Sequence, residues 1–123
     1  MMRSLLLLSS TVLAGCTAAA PARVAVLESA AVYQSLGSRQ CEGGGRSLSA
    51  LAVSLEQAGV TVFDRACGTD GRMRAAVCGG PDGWLAVFDI APAGVDAARA
   101  LGFAPLSDLP GAHRAPCPPH AVP

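Results

Sequence analysis

The sequence contains no lysine: all nine basic residues are Arg, set against nine acidic residues for a formal net charge of zero. A chain so balanced has no broad basic footprint, which excludes nucleic acid as the expected partner. The Arg-only usage, beside abundant Ala, reads as a coding bias and carries no mechanism. Aromatic residues are scarce as well, with one Trp, one Tyr and three Phe in 123 residues. That length builds one small domain, and a domain so poor in large rings gains from covalent staples. There is no Cys-x-x-Cys pair, no Gly-x-Gly-x-x-Gly and no Walker glycine loop. Dithiol chemistry at a helix start and nucleotide binding by a glycine fingerprint therefore lack their usual residues. His113 and His120 are the only histidines and both lie in a Pro-rich end segment, so no Ser-His-Asp set is arguable.

Long hydrophobic runs are also missing. The apolar stretch from Ser4 to Leu13 holds about ten residues, well short of the ~20 that span a bilayer. Behind the short positive start Met1-Met2-Arg3 it has the layout of a secretory signal. It ends in Leu13-Ala14-Gly15-Cys16. Those four residues resemble the lipobox of bacterial lipoproteins. The resemblance implies diacylglyceryl attachment to the Cys16 thiol, cleavage before Cys16 and acylation, palmitate included, of the new amino terminus. One acyl chain anchors marginally, at ~0.8 kcal/mol per buried CH₂, whereas several anchor stably. Thr17 rather than Asp follows the cysteine. In that family this implies export to the outer membrane, facing the periplasm, where the cell has two membranes. The bland alternative is an ordinary cleaved signal with a chance cysteine.

The expected organisation is a signal peptide over 1–15, a lipidated tether over 16–22, a domain over 23–109 and a Pro-rich tail over 110–123. Loss of Arg3 with the signal leaves eight Arg against nine acidic residues. The tail cannot form a regular helix or a central strand; it is expected to be extended and disordered unless Cys117 ties it down.

Within the domain, residues 23–28 read as a first strand, and 29–40 are ambiguous between strand and helical turns. Leu48, Leu51, Ala52, Leu55 and Ala58 recur at helical spacing, and Gly59 supplies a stop, which predicts a helix over 47–58. Val60 to Phe63 reads as a strand. Residues 73–78 are a β-like run, or else loop. Trp84 to Ile90 is apolar at almost every position and predicts a central strand, with Trp84 and Phe88 on its core side. Pro92 begins a second helix with Val95, Ala98 and Leu101 on one face. Gly102 ends it, and Phe103 packs back on it. The expected class is α+β: a small two-layer sandwich with two helices on one face of a mostly antiparallel, three- or four-stranded sheet, with a ferredoxin-like arrangement as the leading topology.

With Cys16 assigned to lipid, Cys41, Cys67, Cys78 and Cys117 remain as disulfide candidates, and an exported compartment favours pairing. Four thiols allow three pairings. A tight hairpin at Asp70-Gly71 would set Cys78 ~13 Å from the residue opposite Cys67, too far for a bond that needs Cα atoms within ~7 Å. The repeated Cys-Gly pairs at 67–68 and 78–79 favour instead two strand ends clipped by Cys67–Cys78, for ~3 kcal/mol. Cys41–Cys117 then closes the larger loop. The other two pairings stay open.

Other constellations are weaker. His113, Cys117 and His120 are only loosely spaced like metal ligands, and solvated tail histidines are the plain reading. Asp64, Asp70 and Asp82 lie at turns, and Asp-Gly is turn chemistry first. Gly43-Gly44-Gly45 before a helix could cradle an anion, but a bare glycine run reads as linker. No catalytic residue, metal site or cofactor is therefore expected.

Cys41-Glu42-Gly43-Gly44, Ala58-Gly59-Val60, Cys67-Gly68-Thr69-Asp70-Gly71, Val77-Cys78-Gly79 and Leu101-Gly102-Phe103 together resemble small exported bacterial proteins, over about 40–108. That resemblance carries no activity. The expected function is a lipid-anchored cell-envelope protein with a non-catalytic domain that binds another envelope protein. The alternatives are a small envelope thiol-redox enzyme and a module for a small ligand or metal.

Overall fold

A computed structural model describes residues 15–16 and 28–121. The strand expected over 23–28 lies outside the described residues except for Glu28, which is not in a strand. The first strand is β1, Ala30–Ser35, within the segment whose pattern was ambiguous. There Val32 is fully buried and Tyr33 faces the other way, the alternation that a half-covered strand requires.

Helix α1, Leu48–Gln57, follows. Ser47 caps it, its hydroxyl accepting from the Ala50 amide at 3.1 Å. Leu48, Leu51, Ala52 and Leu55 form its buried face. Gly59, at φ +82°, turns the chain into β2, Val62–Thr69. The strand runs well past the Val60–Phe63 stretch that first suggested it, and Phe63 bulges out of the ladder between Val62 and Asp64. Strand β3 is Trp84–Ile90, as its apolar run predicts. Pro92–Gly94 form a 3₁₀ turn that leads into α2, Val95–Ala100. Leu101 is left more than a third exposed, not on the inward face expected of it. Phe103 does pack back: its amide bonds the Ala98 carbonyl at 3.0 Å, and its ring meets Phe88 edge-on at 5.8 Å. Two short strands complete the sheet, β4, Ala104–Pro105, and β5, His113–Ala115.

The sheet order is β4-β1-β3-β2-β5 and every pairing is antiparallel. This corrects the expected fold. The domain is α+β, but its sheet has five strands and curls into half a barrel, and the three- or four-stranded ferredoxin-like sandwich does not form. The reasons are local. Strand β5 comes from the Pro-rich tail, on an edge that tolerates the missing amides of neighbouring prolines. Helix α2 has only six residues, too short to make half of a covering layer. Residues 73–78 are loop, because β2 is already paired with β3 and β5, and β3 with β1 and β2. No ladder edge is left there for another strand.

The core lies between the helices and one face of the sheet. It gathers Val32, Leu51, Leu55, Phe88, Ile90 and Phe103, with Ala121 from a terminal 3₁₀ turn, Pro119–Ala121. Trp84 joins it half-buried. The alternate residues of β3, Leu85 and Val87, are also buried, but they point to the opposite face of the sheet, away from that core.

The disulfides are Cys41–Cys78 and Cys67–Cys117, with Cα atoms 5.1 and 5.0 Å apart. The pairing Cys67–Cys78 with Cys41–Cys117 is therefore wrong. Its premise was that both Cys-Gly pairs end strands. Cys67 lies inside β2 opposite Ala86, with its side chain in the core, while Cys78 lies in the long 70–83 loop. The β2–β5 register sets Cys67 opposite Ala115, so Cys117, two residues on, comes within reach. The tail is thus strapped to the sheet by a strand, a disulfide and a buried alanine.

Candidate functional site

On the sheet face away from the helices is a pocket of about 390 Å³. Its floor is strand: Tyr33 and Ser35 of β1 and Leu85 of β3, neighbours on that face. Its rim comes from two loops, 36–46 after β1 and 70–83 between β2 and β3, with Leu109 closing one side. Ser38 and Arg39 come from the first loop; Asp70, Arg72, Arg74 and Gly83 come from the second.

Gln40 holds the two loops together. Its side-chain amide donates to the carbonyls of Ala75 (3.2 Å) and Pro81 (3.1 Å), and its Oε1 accepts from the Val77 amide at 3.1 Å. Its backbone exchanges bonds with Gly79 and Gly80, each 2.9 Å. Cys41–Cys78 fixes the same junction covalently. Cys41 takes φ +67°, in a turn where the Arg39 carbonyl accepts from the amides of Glu42 and Gly43. One Gln and one disulfide thus supply order to a loop with neither helix nor strand, whose Met73 and Val77 side chains stand in solvent.

Electrostatics differ along the rim. Arg74 grips Asp70 with two bonds, at 2.7 and 2.5 Å, and the Asp70 carboxylate also accepts the Arg72 amide at 3.0 Å. The Arg74 hydrogen bond holds the Asp70 carboxyl down at about 2, against partial burial that opposes it, and Asp70 in turn raises Arg74. Gly83 makes room for this pair: at φ +80°, a Cβ there would stand 2.5 Å from Arg74 Nη1 and 2.9 Å from Asp70 Oδ1. The remaining cations are less committed. Arg39 donates to the Gly79 carbonyl at 2.8 Å, and no side chain among the described residues accepts from the Arg72 guanidinium. Ser38, one of the lining residues, is 3% exposed, and its hydroxyl has no hydrogen-bond partner. A buried polar atom without a partner is uncommon and calls for an explanation.

The other sequence candidates fall elsewhere. Asp82 accepts from the Trp84 amide at 3.1 Å, a local turn bond, and lies 3.8 Å from His120 Nε2. Asp64 bonds only its neighbour's amide. His113 meets Thr69 Oγ1 at 3.2 Å, and Cys117 is in a disulfide, so the His113–Cys117–His120 spacing does not assemble a ligand set. Among the described residues no cluster of three or more His, Cys, Asp or Glu could hold a metal. The three glycines 43–45 all take positive φ, and a Cβ at Gly45 would clash with the Leu36 carbonyl oxygen. They shape a loop, with no ligand-like feature of their own.

The sequence reasoning missed Arg39, Gln40, Arg72 and Arg74. Only the Arg-x-Arg spacing at 72–74 hinted at a pair of cations. Nothing local announced that a loop more than thirty residues upstream would add a third.

Comparison with protein-family models, with curated proteins and with solved structures finds no match to this chain. The two disulfides are consistent with an exported protein. No helix among the described residues is long and apolar enough to cross a membrane.

Proposed function

We propose that this chain is a lipid-anchored cell-envelope protein whose domain binds a partner or ligand, without catalysis, through its loop-rimmed pocket. The observation that carries the reading is the fate of the five cysteines. Four are paired in the domain, and Cys16, at the end of the lipobox-like Leu13-Ala14-Gly15-Cys16, alone is unpaired and exposed. An odd cysteine in an exported chain calls for a separate use, and thioether linkage to a diacylglyceryl group is the use that the preceding residues suit. The anchor would hold the domain at a membrane surface, the outer membrane facing the periplasm in a cell with two membranes.

The thiol-redox alternative is less well supported. Neither disulfide joins cysteines in a Cys-x-x-Cys pair at a helix start, the arrangement that lowers a thiol pKa. The small-ligand alternative gains from the pocket, whose volume lies in the range of small-molecule sites. The anchor is tested by fractionation: Cys16→Ser is expected to move the protein from membranes to the soluble fraction, with intact mass showing the acyl groups lost. Unchanged fractionation, or an unmodified wild-type mass, refutes it. Crosslinking in the intact envelope tests for a partner.

A further inference from the structure

We propose that the pocket binds a small organic oxyanion, a phosphate or carboxylate group held by Arg72 and Arg39 with its carbon body against Tyr33, Leu85 and Leu109. The inference rests on the reading of the domain as a binding module and names the chemistry that module recognises.

Charge carries the first part. Three guanidinium groups and one carboxylate line the pocket. The carboxylate, Asp70, ionised at neutral pH like any free aspartate, is held by Arg74. That pair is internally neutral, so the field in the pocket is set by Arg39 and Arg72. A pocket with low-dielectric walls focuses such a field on whatever enters. Guanidinium presents forked N–H donors that match carboxylate and phosphate oxygens two at a time. Arg39 spends one nitrogen on Gly79 and keeps others.

Positioning carries the second part. Arg39 leaves a turn fixed by the two residues that follow it, through the Gln40 clamp and Cys41–Cys78. Arg72 follows Asp70, whose carboxylate holds the Arg72 amide. The bases of both side chains are thus pinned while the heads keep donors to spare. This lowers the ordering cost of binding. Ser38 adds an independent sign. Ser38 is buried beside the pocket and its hydroxyl makes no hydrogen bond, so a rotation about Cα–Cβ that brought it to an incoming oxygen would break no bond and would satisfy a group otherwise left unpaired. Tyr33, Leu85 and Leu109 then give the body of the ligand an apolar seat beside the cations, the usual division of labour in a small-molecule site.

The test uses the exported, oxidised chain and calorimetric titration with phenyl phosphate, with benzyl alcohol as the uncharged control. Saturable binding of phenyl phosphate, weakening with salt and absent for benzyl alcohol, is expected. Arg72→Gln, at an exposed loop position, should weaken it about tenfold with an unchanged melting temperature. Ser38→Ala should weaken it by a smaller factor while leaving the melting temperature equal or higher, since it removes an unpaired hydroxyl; a purely structural Ser38 would not alter binding. Equal binding of the two probes, no saturable binding, or a dissociation constant unmoved by Arg72→Gln overturns the proposal. Two sources of the oxyanion separate by competition. Displacement of phenyl phosphate by phosphatidylglycerol vesicles, and not by phosphatidylcholine vesicles, supports the site with a lipid headgroup as its ligand. Phenyl phosphate binding that neither vesicle displaces supports it with a soluble ligand. A protein partner crosslinked in the envelope by a chain that binds no phenyl phosphate would overturn the oxyanion and leave the binding-module reading standing.

Discussion

The two faces of the curled sheet are stabilised by different means. One face is covered by α1, α2 and the strapped segment 113–121, and its contacts are apolar: Val32, Leu51, Leu55, Phe88, Ile90 and Phe103. The opposite face meets two irregular loops held by a disulfide, one glutamine and one bidentate ion pair. Apolar packing tolerates no polar gap and leaves nothing for a ligand to do. Hydrogen-bonded loops can be ordered while donors remain free, as Arg72 and Ser38 show. Stability should therefore concentrate on the first face and recognition on the second, and perturbations of the two should separate.

The largest effect is expected in the core beneath the helices. Phe88 is fully buried on the central strand and meets Phe103. Phe88→Ala should cost about 3–5 kcal/mol, read as a fall in the urea midpoint of the whole domain in a single transition. If the rim loops lost protection long before the core, the faces would be separate cooperative units; if both melt together, they differ in chemistry only.

The disulfides sharpen the comparison, because each serves a different face. Cys67–Cys117 has its buried end in the core and straps β5 and Ala121 in place. Cys41–Cys78 is exposed and joins the two rim loops. The sequence separations, 50 and 37, are close enough that loop entropy alone predicts almost equal losses, roughly 4 kcal/mol each. Packing adds to only one of them. The Cys67→Ala/Cys117→Ala double variant is expected to lower the midpoint further than Cys41→Ala/Cys78→Ala, whose main readout should be fast amide exchange over 75–81. Equal losses without loop opening would place the difference in the unfolded chain.

How far these elements could be foreseen follows the same division. Helix α1, β3, the Pro92 start and the return of Phe103 were legible because each is signalled by neighbouring residues: a period, a cap, an apolar run, a Gly stop. What was not legible depends on residues far apart in the chain. Strand β5 is extended only because β2 offers it an edge, and 73–78 is loop only because no edge remains. The disulfide pairing follows from register, through Cys67 opposite Ala115. The pocket assembles Arg39 with Arg72 and Arg74 from two loops, and Gln40 looks like any polar residue until its partners are known.

Gln40→Ala is the next smaller perturbation. It removes three side-chain hydrogen bonds, two donated and one accepted, from a site that water can reach. Each such bond is worth about 0.5–1.5 kcal/mol when buried and less here, so a global loss near 1 kcal/mol is expected. Exchange of the Val77 amide, which donates to Gln40 Oε1, should rise by a larger factor than any amide in α1. A uniform rise across the domain would show that Gln40 supports the fold as a whole rather than the rim.

The smallest effect is acid titration of the rim, and its sign follows from Asp70. The Arg74 bond lowers that carboxyl from 3.8 to about 2, so the folded state favours the ionised form. The stabilisation is complete above the unfolded value and is lost as pH falls from about 4 through about 2. Asp70→Asn should flatten that part of the stability profile and leave the profile above pH 5 nearly parallel to wild type. Because the pair reaches solvent, screening reduces the effect, and added salt should shrink it further. Core substitutions should not alter this window at all. Were Phe88→Ala to move it, the rim would be reporting on the packing beneath the sheet, and the two faces would be coupled through β3, whose Leu85 floors the pocket while Phe88 fills the core.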